Sequence, residues 1–319
     1  MKNNVFASKT RLRQKPFWKK VWEDYGGIIY MVPVLVGILM FTVIPMFTSL
    51  NYALHDYNPY SRDETEQLTN FGFQNFVNIF TPASKGGNLD NILYSLYVTF
   101  RFTILNVLVG LVGSYILALF LNQKTKGIEG FRVLYYLPCL IPGVAGTLLW
   151  KDITAVNGGY LNLILETFGM KPYTFYEAAE SVLPTLLFIS LFTLCGNAIM
   201  WLAQMKNVPT ELYESADLDG ANYFHKLFFI TIPMTTSMLF YLLIMSIIAG
   251  VQAFSNVYPL VDVAGKEVEF IVVKIYDYAY TQGELSYACA LSWVLFVIIG
   301  IITAFIFKTS KWVYYGEEA

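Results

Sequence analysis

The stretch Pro209–Pro233, PTELYESADLDGANYFHKLFFITIP, lies between two long apolar runs, and its reading decides the fold. Pro209-Thr210 opens a helix, with Thr210 placed to cap exposed amides and Glu211 and Glu214 in the first turns, where the helix dipole favours negative charge. Leu212, Ala216 and Asp219 lie close to one face, flanked by Tyr213. Gly220 permits the positive φ that closes a helix. A second helix is expected from Ala221, placing Phe224, Leu227 and Phe228 at i, i+3, i+4 as an apolar stripe that anchors it to a bundle. Pro233 ends the unit or bends it into the next span. Ala216, Gly220 and Ala221 are small on consecutive turns, so another surface can approach the backbone. Two readings fit: a docking surface for a separate chain, or a hairpin packed on its own bundle.

The flanks say what kind of protein carries this loop. Of 319 residues, 56% are hydrophobic and 14% charged, with a mean hydropathy of +0.50. Soluble domains carry about a quarter charged residues, so the charge deficit points to a membrane. Six uncharged segments are long enough, or nearly so, to cross a bilayer: Ile28–Leu50, Phe102–Leu121, Val133–Trp150, Val182–Met205, Ile232–Val261 and Leu285–Phe307. Buried helices of a large soluble enzyme would not confine charge to the connections six times over. The class is therefore all-α integral membrane, with six spans in one domain over 28–308, a basic segment 1–27 and a short tail 309–319.

Charge placement orients it. Lys2, Lys9, Arg11, Arg13, Lys15, Lys19 and Lys20 precede the first span, Lys124, Lys126 and Arg132 follow the second, Lys206 and Lys226 the fourth, and Lys308 and Lys311 the last. The alternate connections, Asn51–Asn91 and Ile153–Ser181, are acidic or nearly neutral. By the positive-inside rule both termini, and the 209–233 loop with them, are expected in the cytoplasm of a multi-pass protein. The first apolar run is too long for a signal peptide and lacks a small-residue cleavage site. Trp18, Trp22 and Tyr25 suit either an interfacial segment or a solvated tail. Asn58-Pro59 and Thr81-Pro82 mark turns in the first outer loop. Pro138 and Pro142 kink the third span, and Val263–Tyr280 reads as an external, partly interfacial stretch.

The loop carries a resemblance as well. Glu214-Ser215-Ala216, then Gly220 after three residues, then nine residues and Ile230-Thr231-Ile232-Pro233, resemble the Glu-Ala-Ala motif of binding-protein-dependent ABC importer permeases. Ser215 stands for the first alanine and Ile232 for the leucine of that pattern. Asp219-Gly220-Ala221 is similar to the Asp-Gly-Ala of the carbohydrate-importer branch, and Tyr287-Ala288-Cys289-Ala290-Leu291-Ser292 is similar to the start of that branch's last helix. The resemblance implies the type I importer permease fold, with 209–233 as the coupling helix seated on an ATPase subunit. It further implies coupling roles for Glu211, Glu214, Ser215, Ala216, Asp219, Gly220 and Ala221. Implied partners are a second, similar permease chain, two ATP-binding subunits and an extracytoplasmic solute-binding protein in a bacterial plasma membrane. ATP and magnesium would belong to the partner ATPase, because this chain has no G-x-x-x-x-G-K-[ST] run.

Catalysis by the chain itself is not expected. His55 and His225 are its only histidines and form no Ser/His/Asp or Cys/His constellation, and no metal site is expected. Cys139, Cys195 and Cys289 fall inside apolar spans without paired spacing, so packing is expected rather than a disulfide. Polar groups in the fifth span mark a candidate solute pathway. Ser246, Gly250 and Ala253 are expected to stack on one helix face, flanked by Gln252 and Asn256. Neutral amides and hydroxyls suit a polyhydroxylated solute, and helix–helix hydrogen bonding suits them equally. Asn106 and Asn197 read as bridges between helices and not as solute contacts. A secondary transporter or a membrane scaffold remain the rival classes; the first would show intramembrane acids or broken repeats.

Overall fold

A computed structural model describes residues 30–57, 68–123 and 125–313. The basic segment 1–27, the turn at Asn58-Pro59 and residues 314–319 of the tail lie outside them. The chain divides into two compact units, Met1–Asn51 and Tyr52–Ala319. The first contains most of helix α1 (Tyr30–Ala53), apolar and mostly exposed within that unit, with Phe41 80% exposed.

In the second unit a two-stranded antiparallel ribbon, β1 (Asp56–Tyr57) with β2 (Leu68–Thr69), precedes the short helix α2 (Gln74–Phe80). Helix α3 (Leu89–Leu121) has 33 residues, about 50 Å at 1.5 Å per residue. It begins thirteen residues before the apolar run does, because its first turns pack instead of entering lipid: Ile92, Ser95, Val98 and Thr99 are buried. Its threonine hydroxyls and Ser114 are bonded within the helix and beyond it, while the buried Ser95 hydroxyl has no partner among the described residues. Thr99 donates to the Ser95 carbonyl at 2.6 Å and accepts from the Ile271 amide at 2.9 Å, and Trp201 Nε1 donates to Ser114 Oγ at 3.2 Å. In hydrocarbon such pairing replaces the water these groups would otherwise bind.

Three of the expected spans are broken. Helix α4 (Ile128–Leu140) meets α5 (Gly143–Ile153) at 95°, helix α7 (Ala179–Thr193) meets α8 (Cys195–Lys206) at 46°, and α10 (Tyr223–Met234) meets α11 (Thr236–Val251) at 62°. Among the described residues, three helices are single spans (α1, α3 and α13, Leu285–Lys308), and the three bent pairs bring the number to six. The break after α4 exceeds a kink because Pro138 tightens the last turn to 3-10 geometry and Pro142, in extended backbone, serves as the N-cap of α5. Between α5 and α7 runs a connection carrying α6 (Tyr160–Thr167), held by Asn162, whose amide donates to the Ala155 and Tyr173 carbonyls, both at 3.1 Å.

Three expectations are corrected here. The fifth span ends at Val251, not at Val261. Val263–Tyr280 is not peripheral: Val268, Phe270, Ile271, Val273 and Tyr278 are buried, and α12 (Ile271–Tyr276) packs on α3 and α13. Cys139 and Cys195 form a disulfide pair with Cα atoms 6.4 Å apart. They sit at the breaks after α4 and α7, so their meeting depends on two bends that sequence spacing does not encode.

Candidate functional site: a projecting loop and an uncharged cavity

Helix α9 (Thr210–Leu218) contains no buried residue. Pro209 occupies the N-cap and no side chain caps the helix, so Thr210 is its first residue rather than its cap. Its C-terminus closes as a Schellman motif: the Ala221 amide donates to Ala216 O at 2.9 Å and the Gly220 amide to Asp217 O at 3.1 Å, with Gly220 at φ 75°. The second helix starts at Tyr223, two residues later than expected, because Asn222 takes the N-cap and accepts from the His225 amide at 2.8 Å. Lys226 pairs with Asp217 across the turn. The Tyr213 hydroxyl bridges to Thr231 Oγ1 at 2.9 Å, tying α9 to the foot of the next span.

Glu211, Glu214, Ser215, Asp219 and Gly220 are exposed, and Ala216 and Ala221 are partly exposed. The loop therefore presents these residues outward, which disfavours the self-packed hairpin. The aromatic stripe differs from expectation. Phe224 and Phe228 are 66% and 60% exposed, and only Leu227 turns toward the chain, since the helix widens to π geometry from Leu227 to Thr231 and rotates the stripe away. Sequence reasoning also missed Leu218, which is 91% exposed at the loop tip. Its signal is a leucine between Asp217 and Asp219, off the Leu212/Ala216 face.

At the other end of α11 the chain lines a half-open cavity of about 630 Å³. All five pathway residues, Ser246, Gly250, Gln252, Ala253 and Asn256, line it, as do Asn106 and Asn197. The expected helical stacking of Ala253 on Ser246 and Gly250 does not hold. Gln252 leaves the helix at φ −94°, ψ 15°, and residues 252–257 form irregular turns pinned by buried Val251 and Val257. Ser255 and Asn256 favour turns over helix interiors, and α5 clamps the segment: Thr147 Oγ1 donates to Ser255 O at 3.4 Å. Irregular backbone at membrane depth survives only where it is buried or lines a cavity, and this segment lines one.

Among the described residues the cavity wall carries no Asp, Glu, Lys, Arg or His. Amides and hydroxyls alternate with aromatic faces, Trp150 and Phe192 lying 4.8 Å apart. The Asn106 Oδ1 is buried without a hydrogen-bond partner, so it has an acceptor to offer. Burial pushes the Tyr176 phenol well above the ordinary tyrosine range, which keeps this wall residue protonated and neutral. The arrangement suits a neutral polyhydroxylated ligand with apolar faces. Among the described residues no group of His, Cys, Asp and Glu could hold a metal ion.

No family model matches the chain. It is 31% identical over 302 residues to the probable ABC transporter permease protein YesP of Bacillus subtilis, covering 93% of this chain and 94% of the relative. It is 25% identical over 297 residues to the multiple sugar-binding transport system permease protein MsmF of Streptococcus mutans, covering 92% and 98%. In structure it is similar to a chain of a bacterial ABC transporter involved in import of the acidic polysaccharide alginate. That match has a TM-score of 0.78 at 21% identity and covers 93% of this chain and 99% of the other. It is likewise similar, with a TM-score of 0.78 at 20% identity over 93% of this chain and 98% of the other, to a chain of a bacterial alginate ABC transporter solved in complex with an alginate pentasaccharide-bound periplasmic protein.

Proposed function

The chain belongs to the family of ABC transporter permeases, and from that premise we propose that it is a solute-conducting subunit of an ATP-driven, solute-binding-protein-dependent importer for a sugar or oligosaccharide. The chain would work with a second, similar permease, two ATP-binding subunits and an extracytoplasmic binding protein. ATP and magnesium belong to the ATP-binding subunits, and this chain performs no hydrolysis. Both termini and the 209–233 loop lie in the cytoplasm of a bacterial plasma membrane, following the distribution of lysine and arginine.

The observation that carries this reading is the pairing, on one chain, of a closed helix with no buried residue, tied to the foot of a span, and an uncharged cavity at the far end of that span. Glu211, Glu214, Ser215, Ala216, Asp219, Gly220 and Ala221 supply the docking surface, with Leu218 as its apolar tip. Movement of the seated α9 reaches the membrane through the Tyr213–Thr231 bridge and α10. The 62° break at Thr235 then transmits it to α11 and the cavity wall. The solute delivered by the binding protein meets Ser246, Gly250, Gln252, Ala253 and Asn256, whose amides and hydroxyl match sugar hydroxyls without charge. Purification of the chain from cells expressing its partners tests the assignment. An ATP-binding subunit is expected to copurify, and hydrolysis is expected to rise with solute-loaded binding protein. Uptake that persists without any ATP-binding subunit overturns it in favour of a secondary transporter, and assembly without solute-dependent hydrolysis favours a scaffold.

A further inference from the structure

Four aromatic rings leave the cavity in an unbroken series. Phe254, in the cavity wall, stacks on Tyr258 with centroids 4.8 Å apart and planes inclined by 21°. Tyr276 lies against both, 5.1 Å from Phe254 and 4.8 Å from Tyr258. Tyr280 continues the series 4.8 Å beyond Tyr276 and is 74% exposed. Two i, i+4 pairs from separate segments build it: one from the irregular turn after α11, the other from α12 and the π turn that follows. The series lies at the end of α11 remote from the coupling loop.

An aromatic girdle at a membrane surface would place its rings side by side facing lipid. These rings are instead in mutual contact and join the cavity wall to an exposed surface. Acids and a lysine fringe them: Asp262 and Asp277 both act electrostatically on Tyr258, Asp277 is held by Gln282 at 2.7 Å, and Lys151 on α5 donates to the Pro259 carbonyl at 3.3 Å. Lys274, the nearby cation on α12, is paired with Glu269 at 3.5 Å. A pyranose has an apolar C–H face that packs on an aromatic ring and a hydroxyl edge that meets phenol oxygens and carboxylates. An anionic sugar would meet Asp262 and Asp277 beside Tyr258 and, among the described residues, find no cation in the cavity wall.

We infer that Phe254, Tyr258, Tyr276 and Tyr280 form a saccharide-binding ladder leading into the cavity, and that it accepts neutral saccharides and rejects anionic ones. This rests on the sugar-importer reading and sharpens its substrate class. The test uses the complete importer in proteoliposomes with its binding protein. Labelled maltose, maltotetraose, cellobiose and diacetylchitobiose serve as neutral probes, with a guluronate trimer and glycerol 3-phosphate as anionic ones. The wild type is expected to take up a neutral probe and neither anion. Tyr258→Ala with Tyr280→Ala is expected to lower that uptake at sub-saturating solute about tenfold, at the scale of one or two lost stacking contacts. Tyr280→Trp is expected to retain it, and copurification of the ATP-binding subunit reports intact assembly. Because Tyr280 is exposed, Tyr280→Ala alone serves should the double variant fail to assemble. Uptake of the anions by the wild type overturns the neutral selection. Wild-type uptake of a neutral probe that the alanine variants leave unchanged overturns the ladder and leaves the sugar importer standing. No uptake of any saccharide overturns the sugar reading and the ladder with it.

Discussion

Replacing Gly220 separates what the coupling loop needs for its own shape from what it needs for docking. Gly220 sits at φ 75°, and a Cβ built there meets no atom within 4 Å. The cost of Gly220→Ala within the chain is therefore conformational: about 1–2 kcal/mol for an L-residue in the left-handed region. Because α9 buries nothing, that penalty falls on local opening of the Schellman turn and not on the core. It corresponds to a roughly 5–30-fold larger open population. The amides of Gly220 and Ala221, bonded to Asp217 O and Ala216 O, report it directly. Their hydrogen exchange is expected to quicken by that factor in Gly220→Ala and by less in Gly220→Asn, since asparagine tolerates this backbone. Gly220→Arg has the same backbone penalty, and its cation at a helix C-terminus is electrostatically favourable. Any uptake it loses beyond Gly220→Ala measures obstruction of the docked surface. Near-complete loss of uptake is expected for arginine, partial loss for alanine, and normal membrane insertion for both. Equal loss in alanine and arginine refutes the docking argument, and unchanged exchange in alanine refutes the conformational one.

Tyr213→Phe removes the 2.9 Å bridge to buried Thr231 and is expected to cost about 1 kcal/mol. Assembly should persist while hydrolysis loses its dependence on loaded binding protein; unchanged solute stimulation refutes the bridge's role. Gly250→Val places a Cβ 2.7 Å from Thr103 Cγ2, so α11 must move off α3 at the cavity wall. A loss of about 1–3 kcal/mol is expected by thermal unfolding in detergent, partly restored by Thr103→Ala in the same chain. Thiol labelling of the denatured, unreduced protein should modify Cys289 alone, and all three cysteines after reduction. Labelling of Cys139 without reductant refutes the pairing.

The features legible in the sequence are those whose cause is local. Gly220, Pro209 and the spacing to Pro233 punctuate the loop because backbone freedom at glycine and proline needs no neighbours, and the Schellman closure follows from Gly220 itself. The apolar runs mark the spans for the same reason, yet their breaks do not show as clearly. Pro138 and Pro142 announce one and Pro233, two residues before the bend at Thr235, announces another, whereas no proline stands at the bend at Leu194. Direction is the hardest thing to read. A one-turn π widening carries Phe224 and Phe228 outward, and the disulfide joins residues 56 apart in sequence. The burial of Phe270 and Ile271 depends on contacts with α3, 172 residues away for the Ile271 amide.

The solute residues fall between these cases. Their polarity is costly in a span, and that cost is visible without knowing the helix register, which is why the reading could fail on periodicity and still find the cavity. A helix running on to Val261 would set Gln252 and Asn256 four apart on one face, with every backbone carbonyl consumed inside the helix. The turn at 252–257 instead brings Gln252, Ser255 and Asn256 to the wall together and frees local backbone from the helical ladder. It also carries Phe254 into the wall and leaves Tyr258 stacked on it outside the wall. The break at Val251 thus gives the same six residues both an amide-lined cavity wall and the first rung of the aromatic ladder.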